Sequence, residues 1–406
     1  MMKKAIIFGP EGPDSSAEGV VTAKFAWMLY KQGWNIYWIC HDTKVNYGND
    51  IKEVPYHVIS VRNDVIQKLT RAFRRIPILK YVYLLDSFIW SYKAYRRAKK
   101  IHKQIHIDYI FSRIMPQYGH LPALMLKKSS DIPWIANWSD PMPREKAPRP
   151  YGYGVDAPIS KFERLYISQI CKYADSHTFP SNRLKEYYLH YLPTKPEKCF
   201  TLPHIINKDV FPSVKVHEKL RLYHIGGGLI ERNPTLLFRA LRNVLDRTQY
   251  SLDKLEINFI GPIEGNVVNI AKKEGVSDII HLLGRKPYNE ALNYICAADI
   301  LLLIEAPMKE GIFLPSKVAD ILGYHKPIFA ISPQKGVMKD LISQYGGGIV
   351  VDCLSLSSIE RGLEQLFDDW VNNKLDTAQY NTQNLYKQFT EKNVYLEVQR
   401  IIDEIK

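Results

Sequence analysis

Short apolar runs recur through this chain, each ended by glycine, proline or a charged residue and followed by a segment of helical spacing; no other feature constrains its fold as strongly. "KAIIFG" (4–9) is a β-branched run closing on Gly-Pro, and "VVTAKFAWMLYKQ" (20–32) carries apolar residues at helical spacing before Gly33. "WNIYWIC" (34–40) follows as a second strand. Strand, loop, helix, strand is the opening of a parallel α/β unit. The rhythm returns at "IDYIFSR" (107–113), "IPWIANWSD" (132–140) and "DSHTFPS" (175–181), so the first half reads as one doubly wound domain.

Between Phe200 and Leu220 the text "FTLPHIINKDVFPSVKVHEKL" mixes proline and charge with little periodicity, which places a domain boundary there. The α/β pattern then restarts. "LRLYHIGGG" (220–228), "LEINFIGP", "IIHLLGR", "DILLLIE", "KPIFAIS" and "GGIVVD" read as strands, with "PTLLFRALRNVL" and "YNEALNYICAA" as helices among them. Two tandem Rossmann-like domains are expected, 1–206 and 207–382. Residues 380–405 carry one long amphipathic helical pattern, and 383–406 either cover the second domain or cross back to the first.

With 46% hydrophobic and 24% charged residues the chain has material for two cores. Cys40, Cys171, Cys199, Cys296 and Cys353 are odd in number and lack CxxC or Cys/His spacing, so no disulfide framework or zinc site is expected and a reducing cytosol is the simplest compartment. The apolar run after "MMKK" is too short for a signal-peptide core, and runs such as "ILLLI" fall far below the roughly 20 residues of a membrane span. The net charge of +13 calls for an anionic partner. Much of it lies in 68–103, where Lys and Arg interleave with aromatics around a single acid, Asp86. Such a helix suits an anionic membrane surface; the plainer reading puts Trp90, Tyr92 and Tyr95 in a core. No nucleic-acid motif accompanies the charge.

Two strand-to-helix turns carry the chemistry. Gly226, Gly227 and Gly228 close a strand, and Arg232 stands before a helix starting near Pro234; glycines allow a ligand close to the backbone and a helix N-terminus favours an anion. In "EGIFLPSKVADILGYHKPIFAI" (310–331), Pro315 at the first helical position puts Ser316, Lys317 and Asp320 in the first two turns, with Lys317 and Asp320 on one face. Two basic groups would clamp a diphosphate, and the carboxylate suits ribose hydroxyls.

The span 310–331 resembles the donor-binding signature of retaining glycosyltransferases of the two-Rossmann GT-B architecture, family 4 and its relatives. "HIGGGLIERNPTLLFRAL", "INFIGPI" and "IIHLLGRKPYNEALNYICAADILLLI" resemble the neighbouring motifs in order. The resemblance implies an α/β fold of two Rossmann-like domains facing a cleft. It implies Glu310 at the transferred sugar, Asp320 on the ribose, Arg232 and Lys317 on the diphosphate, and backbone near Arg285 at the base. Departures are the nine-residue spacing of the two acids, with Asp for Glu, Asn233 for a lysine, and His325 for the glycine of G-x-P. Glu305 stands as the substitute for Glu310.

The first domain is matched more thinly: "IFSRIMPQYGHLPALMLKK" with "IPWIANWSDPM" resembles cleft-lining runs of such enzymes, making His120 and Asp140 candidates near acceptor and sugar. Gly19, after the loop "PEGPDSSAEG", is a candidate for approach to phosphate or acceptor. The implied activity is a metal-independent hexosyltransferase. It needs no cofactor, takes a nucleotide-diphosphate sugar (UDP ahead of GDP) and a glycan or lipid-linked acceptor, and serves cell-surface polysaccharide synthesis on the cytoplasmic membrane face. The alternatives are a non-catalytic partner protein of this fold and a sugar-nucleotide epimerase.

Overall fold

The computed structural model describes residues 2–13, 16–41, 57–61, 82–206, 218–227, 230–262 and 266–405. They form two compact units: unit 1 holds Met1–Ala147, Gly154–Pro203 and Val394–Lys406, and unit 2 holds Pro148–Tyr153 and His204–Asn393.

Unit 1 is built on β1 (Lys4–Phe8), β2 (Asn35–Cys40), β3 (His57–Ser60), β4 (Tyr109–Arg113), β5 (Trp134–Asn137), β6 (Ser176–Phe179) and β7 (Cys199–Thr201). They pair in parallel in the order β3-β2-β1-β4-β5-β6-β7. The helices are α1 (Ala17–Lys31), α2 (Val82–Ile105), α3 (Leu121–Lys127), α4 (Lys161–Tyr173) and α5 (Asn182–Leu189). Ser16 caps α1 by accepting from Gly19 N, and Gly33 leaves the helix in a left-handed turn at φ +79°. Trp34, Trp38, Trp134 and Trp138 are fully buried and fill the core.

Unit 2 repeats the plan with β8 (Leu220–Ile225), β9 (Leu255–Ile260), β10 (Ile280–Gly284), β11 (Ile300–Ile304), β13 (Ile328–Ser332) and β15 (Gly348–Asp352). These are parallel in the order β10-β9-β8-β11-β13-β15, while β12 (Glu310–Gly311) and β14 (Lys335–Gly336) make a small separate ladder. Its helices are α6 (Thr235–Arg247), α7 (Asn266–Lys273), α8 (Tyr288–Cys296), α9 (Ser316–Leu322), α10 (Val337–Tyr345), α11 (Leu356–Val371), α12 (Gln383–Lys387) and α13 (Glu391–Glu404), the last continuing into unit 1. β11 shows why "ILLLI" has no alternation: Ile300, Leu302 and Ile304 enter one core, with Phe238 and Phe259. Leu301 and Leu303 enter another, with Val318 and Leu322.

Carboxylates just ahead of strands pin the registers. Asp108 accepts from Lys4 N at 2.7 Å, Asp175 from Trp134 N at 2.7 Å and Asp299 from Arg221 N at 2.9 Å. In both sheets the order reverses beside the first strand, between β1 and β4 and between β8 and β11. Helices diverge to opposite faces there, leaving a crevice at the strands' carboxyl ends.

Two expectations are corrected. The pattern at 380–405 is two helices, because the chain leaves helical conformation between Lys387 and Glu391, where Phe389 is buried and its carbonyl accepts from Ile206 N. Pro315 has ψ 126° and is the cap of α9, so Ser316 is its first residue. The helix of the basic segment is described from Val82 onward; 68–81 lie outside the described residues.

Candidate functional site

Three adjacent strands of unit 2 end on glycines with positive φ: Gly226 (+124°) after β8, Gly261 (+142°) after β9 and Gly284 (+69°) closing β10. A Cβ on Gly261 would stand 2.6 Å from Gly226 O, and one on Gly227 2.6 Å from the Pro262 ring. Side chains are thereby excluded by contact at Gly227 and Gly261 and disfavoured by φ at Gly226 and Gly284, and the backbone forms the floor of the crevice.

Onto this floor the first turn of α9 lays Lys317. Its Nζ donates to Ile225 O at 2.7 Å, and a Cβ on Gly226 would stand 3.2 Å from it. Arg232, in the turn before α6, donates from Nε to Tyr151 OH at 3.1 Å. Among the described residues neither cation has an ion-pair partner; both are held by neutral oxygens. Desolvation, then the charge of Arg232, draws Lys317 down to about 7, against a smaller upward pull from Glu305.

Glu305, directly after β11, is 6% exposed and accepts a hydrogen bond from the Ser332 hydroxyl at the end of β13. Burial holds its carboxyl above the usual range, while the Ser332 bond, Arg232 and Lys317 pull it partly back. His224 in β8 is fully buried, with Nδ1 3.1 Å from Leu302 O; burial and then Lys317 keep it neutral. The pairing with a carbonyl makes Nδ1 the protonated nitrogen.

The site thus joins Gly226, Gly227, Arg232 and Lys317, with Ser316 one residue away at the start of α9. Gly228 lies outside the described residues. Asp320 is half-buried one turn beyond Lys317, whose ammonium turns to Ile225 O. Arg285 is exposed past β10, two strands from β8. Glu310 sits on β12, where its carboxylate pairs with Lys335 at 3.2 Å; the acid that feels the charges of Arg232 and Lys317 is the buried Glu305.

In unit 1, His120 caps α3 and is fully buried, with Nδ1 2.7 Å from Ser112 Oγ and its ring against Trp138 at 4.7 Å. Burial, His177 and Arg113 hold it well below 6.5. With no exposed atom it cannot meet an acceptor, so it is a core group in this structure. Asp140 is half-buried, and its carbonyl accepts from Tyr188 OH at 2.5 Å. Gly19 is a packing glycine: a Cβ there would stand 1.9 Å from Gly12 O.

Sequence reasoning missed His224, Ser332, Tyr151, Gly261 and Gly284. The glycines had a signal, since each of three successive apolar runs ends on glycine; the others had none.

No protein-family model and no curated protein matches the chain by sequence. Its fold is matched throughout by solved structures. Anabaena Alr3699/HepE, in complex with UDP and glucose, aligns at TM-score 0.69 with 11% identity over 99% of this chain and 100% of that one. A glycosyltransferase from Rickettsia africae aligns at 0.68 with 14% identity over 100% and 98%, and sucrose-phosphate synthase from Thermosynechococcus elongatus at 0.67 with 11% over 100% and 99%. The chain has the GT-B fold of two Rossmann-like domains.

Proposed function

We propose that this chain is a retaining glycosyltransferase. It moves a hexosyl group from a nucleoside diphosphate sugar to a glycan or lipid-linked acceptor in cell-surface polysaccharide synthesis. The observation that carries this reading is the pair Arg232 and Lys317, two cations at the switch point of unit 2 held by neutral oxygens over a glycine floor. Such a pair, when both are charged, lacks two negative charges, which the diphosphate of a nucleoside diphosphate sugar supplies. HepE, whose structure contains UDP and glucose, supports a UDP-sugar over a GDP-sugar.

In this reading the glycosidic bond to the diphosphate breaks as the anomeric carbon becomes oxocarbenium-like. Arg232 and Lys317 meet the charge that leaves, and this lowers the barrier without a metal ion. The acceptor hydroxyl oxygen bonds the anomeric carbon on the face that the diphosphate leaves, and the leaving phosphate takes the hydroxyl proton. Asp320 serves the ribose, and Glu310 or the more buried Glu305 the transferred sugar.

A thermal-shift series with UDP, GDP and ADP tests it. UDP should raise the melting temperature, and Lys317→Ala and Arg232→Ala should each remove most of the rise. No stabilisation by any of the three would sink the reading. Acceptor-independent hydrolysis of a UDP-sugar would favour transferase over a non-catalytic protein, and an isomerised nucleotide sugar would favour the epimerase.

The basic helix is assigned to an anionic bilayer. No helix among the described residues is long and apolar enough to cross a membrane. On α2, Trp90, Ala94, Ala98 and Ile101 are buried, while Arg96, Arg97, Lys100 and Lys103 are exposed along with Phe88 and Tyr92. That arrangement supports peripheral attachment to an anionic surface.

A further inference from the structure

Unit 1 carries a polar row at its own switch point that the reading above leaves unused. Arg113, the last residue of β4, is 6% exposed, and its Nε donates to Glu18 Oε1 in the first turn of α1. Ser139 Oγ lies 3.2 Å from the same carboxylate oxygen and 3.1 Å from Asn137 Oδ1. The Asn137 amide in turn donates to Thr178 Oγ1 at 3.0 Å. The row spans the carboxyl ends of β4, β5 and β6. Tight backbone fixes it from both sides: a Cβ on Gly119 would stand 1.9 Å from Arg113 O, and one on Gly19 1.9 Å from Gly12 O.

The inventory of bonds is incomplete in one direction. A guanidinium has five N–H donors, and among the described residues only Glu18 accepts from Arg113. Both contacts to the Glu18 carboxylate fall on Oε1, and no described group donates to Oε2. A nearly buried ion pair returns little beyond its desolvation cost, and the Arg113 terminal nitrogens and Glu18 Oε2 are not among the buried atoms that lack a partner, so they open to solvent. A pair whose remaining donors and acceptor open side by side to the solvent of a crevice is placed to exchange water for a ligand that offers both.

We propose that Glu18 and Arg113 form a subsite for two neighbouring neutral hydroxyls of a sugar ring, one accepting from the Arg113 terminal N–H groups and one donating to Glu18. Charge favours hydroxyls over phosphate, because the pair is neutral and a phosphate on Arg113 would face the Glu18 carboxylate. The subsite rests on the glycosyl-transfer reading, in which it holds the acceptor.

Saturation-transfer NMR on the full chain tests it, with the methyl α-glycosides of glucose, galactose and mannose as probes, inorganic phosphate as competitor, and UDP present or absent. At least one glycoside should take up saturation. That signal should fall about fivefold or more, roughly 1 kcal/mol, in Glu18→Gln and Arg113→Lys. Phosphate should not displace it. The subsite is overturned if no glycoside responds, if both variants respond like the parent, or if phosphate displaces the glycoside. Should Arg113→Lys fail to fold, Glu18→Gln, equal in shape, decides alone. A UDP thermal shift with a negative glycoside result sinks only the subsite. A variant-sensitive glycoside signal without any nucleotide shift sinks only the transfer reading.

Discussion

Lys317 is where binding and stability pull apart. Its folded value of about 7 lies below the roughly 10.5 of an unfolded lysine. Between those values the unfolded chain holds more protons than the folded one, so this residue makes stability rise with pH through the window. Below about pH 7 the folded chain carries a poorly solvated ammonium. Lys317→Met is therefore expected to raise stability at about pH 6 by about 1–2 kcal/mol in urea denaturation while abolishing the UDP shift. A bound diphosphate restores the ammonium, so UDP affinity should fall as pH rises from about 7 to about 9, where the terminal phosphate is already ionised. Titration calorimetry across that range should show the fall in the parent chain and a flat profile in Lys317→Arg. Gly226 is as restrictive, with φ +124° and the Lys317 ammonium 3.2 Å from a built Cβ. Gly226→Ala should cost about 1–2 kcal/mol of stability and weaken UDP by about tenfold, measured in the same two experiments.

At the scale of elements, α2 separates two jobs by face. Trp90 is fully buried, and its ring stacks on His41 at 4.6 Å, so the plainer reading of the aromatics holds for it; Tyr92, 46% exposed, is not core. The basic side chains on the outer face are free to meet lipid headgroups, each worth about 1 kcal/mol near an anionic surface. Replacing Arg96, Arg97, Lys100 and Lys103 with Gln should abolish flotation with phosphatidylserine vesicles and leave the UDP shift intact, since that site belongs to unit 2. Equal flotation of the two proteins would remove the membrane assignment.

For the whole molecule, the C-terminal segment is the test of organisation. Val394, Val398, Ile401 and Ile402 are buried in unit 1, Trp34 Nε1 donates to Tyr395 OH at 3.2 Å, and Arg400 lies over the Phe200 ring at 5.2 Å. Ile401→Ala should lower stability by about 2–4 kcal/mol in urea denaturation followed by tryptophan fluorescence. That signal reports unit 1, since Trp370 is the one tryptophan of unit 2. The UDP shift should survive the substitution at temperatures where the variant is folded.

The sequence by itself determined what depends on local chemistry. Short unbroken apolar runs such as "ILLLI", bounded by turn residues and alternating with helical patterns, fit strands buried on both faces, and glycine at their ends allows the positive φ found at Gly226, Gly261 and Gly284. It therefore carried the two parallel sheets, the restart near Leu220 and the placing of Arg232 in a turn and Lys317 in the first turn of a helix. Tertiary structure decided whatever depends on which turns meet. Glu305 and Ser332 lie 27 residues apart and touch because β11 and β13 are neighbours; Glu18 and Arg113, 95 apart, touch because β1 and β4 are. His120, polar and next to glycine, reads as a site residue until the sheet closes over it. Spacing along a chain limits contacts within one helix or turn, whereas strand order sets the contacts between them, and only the folded sheet contains that order.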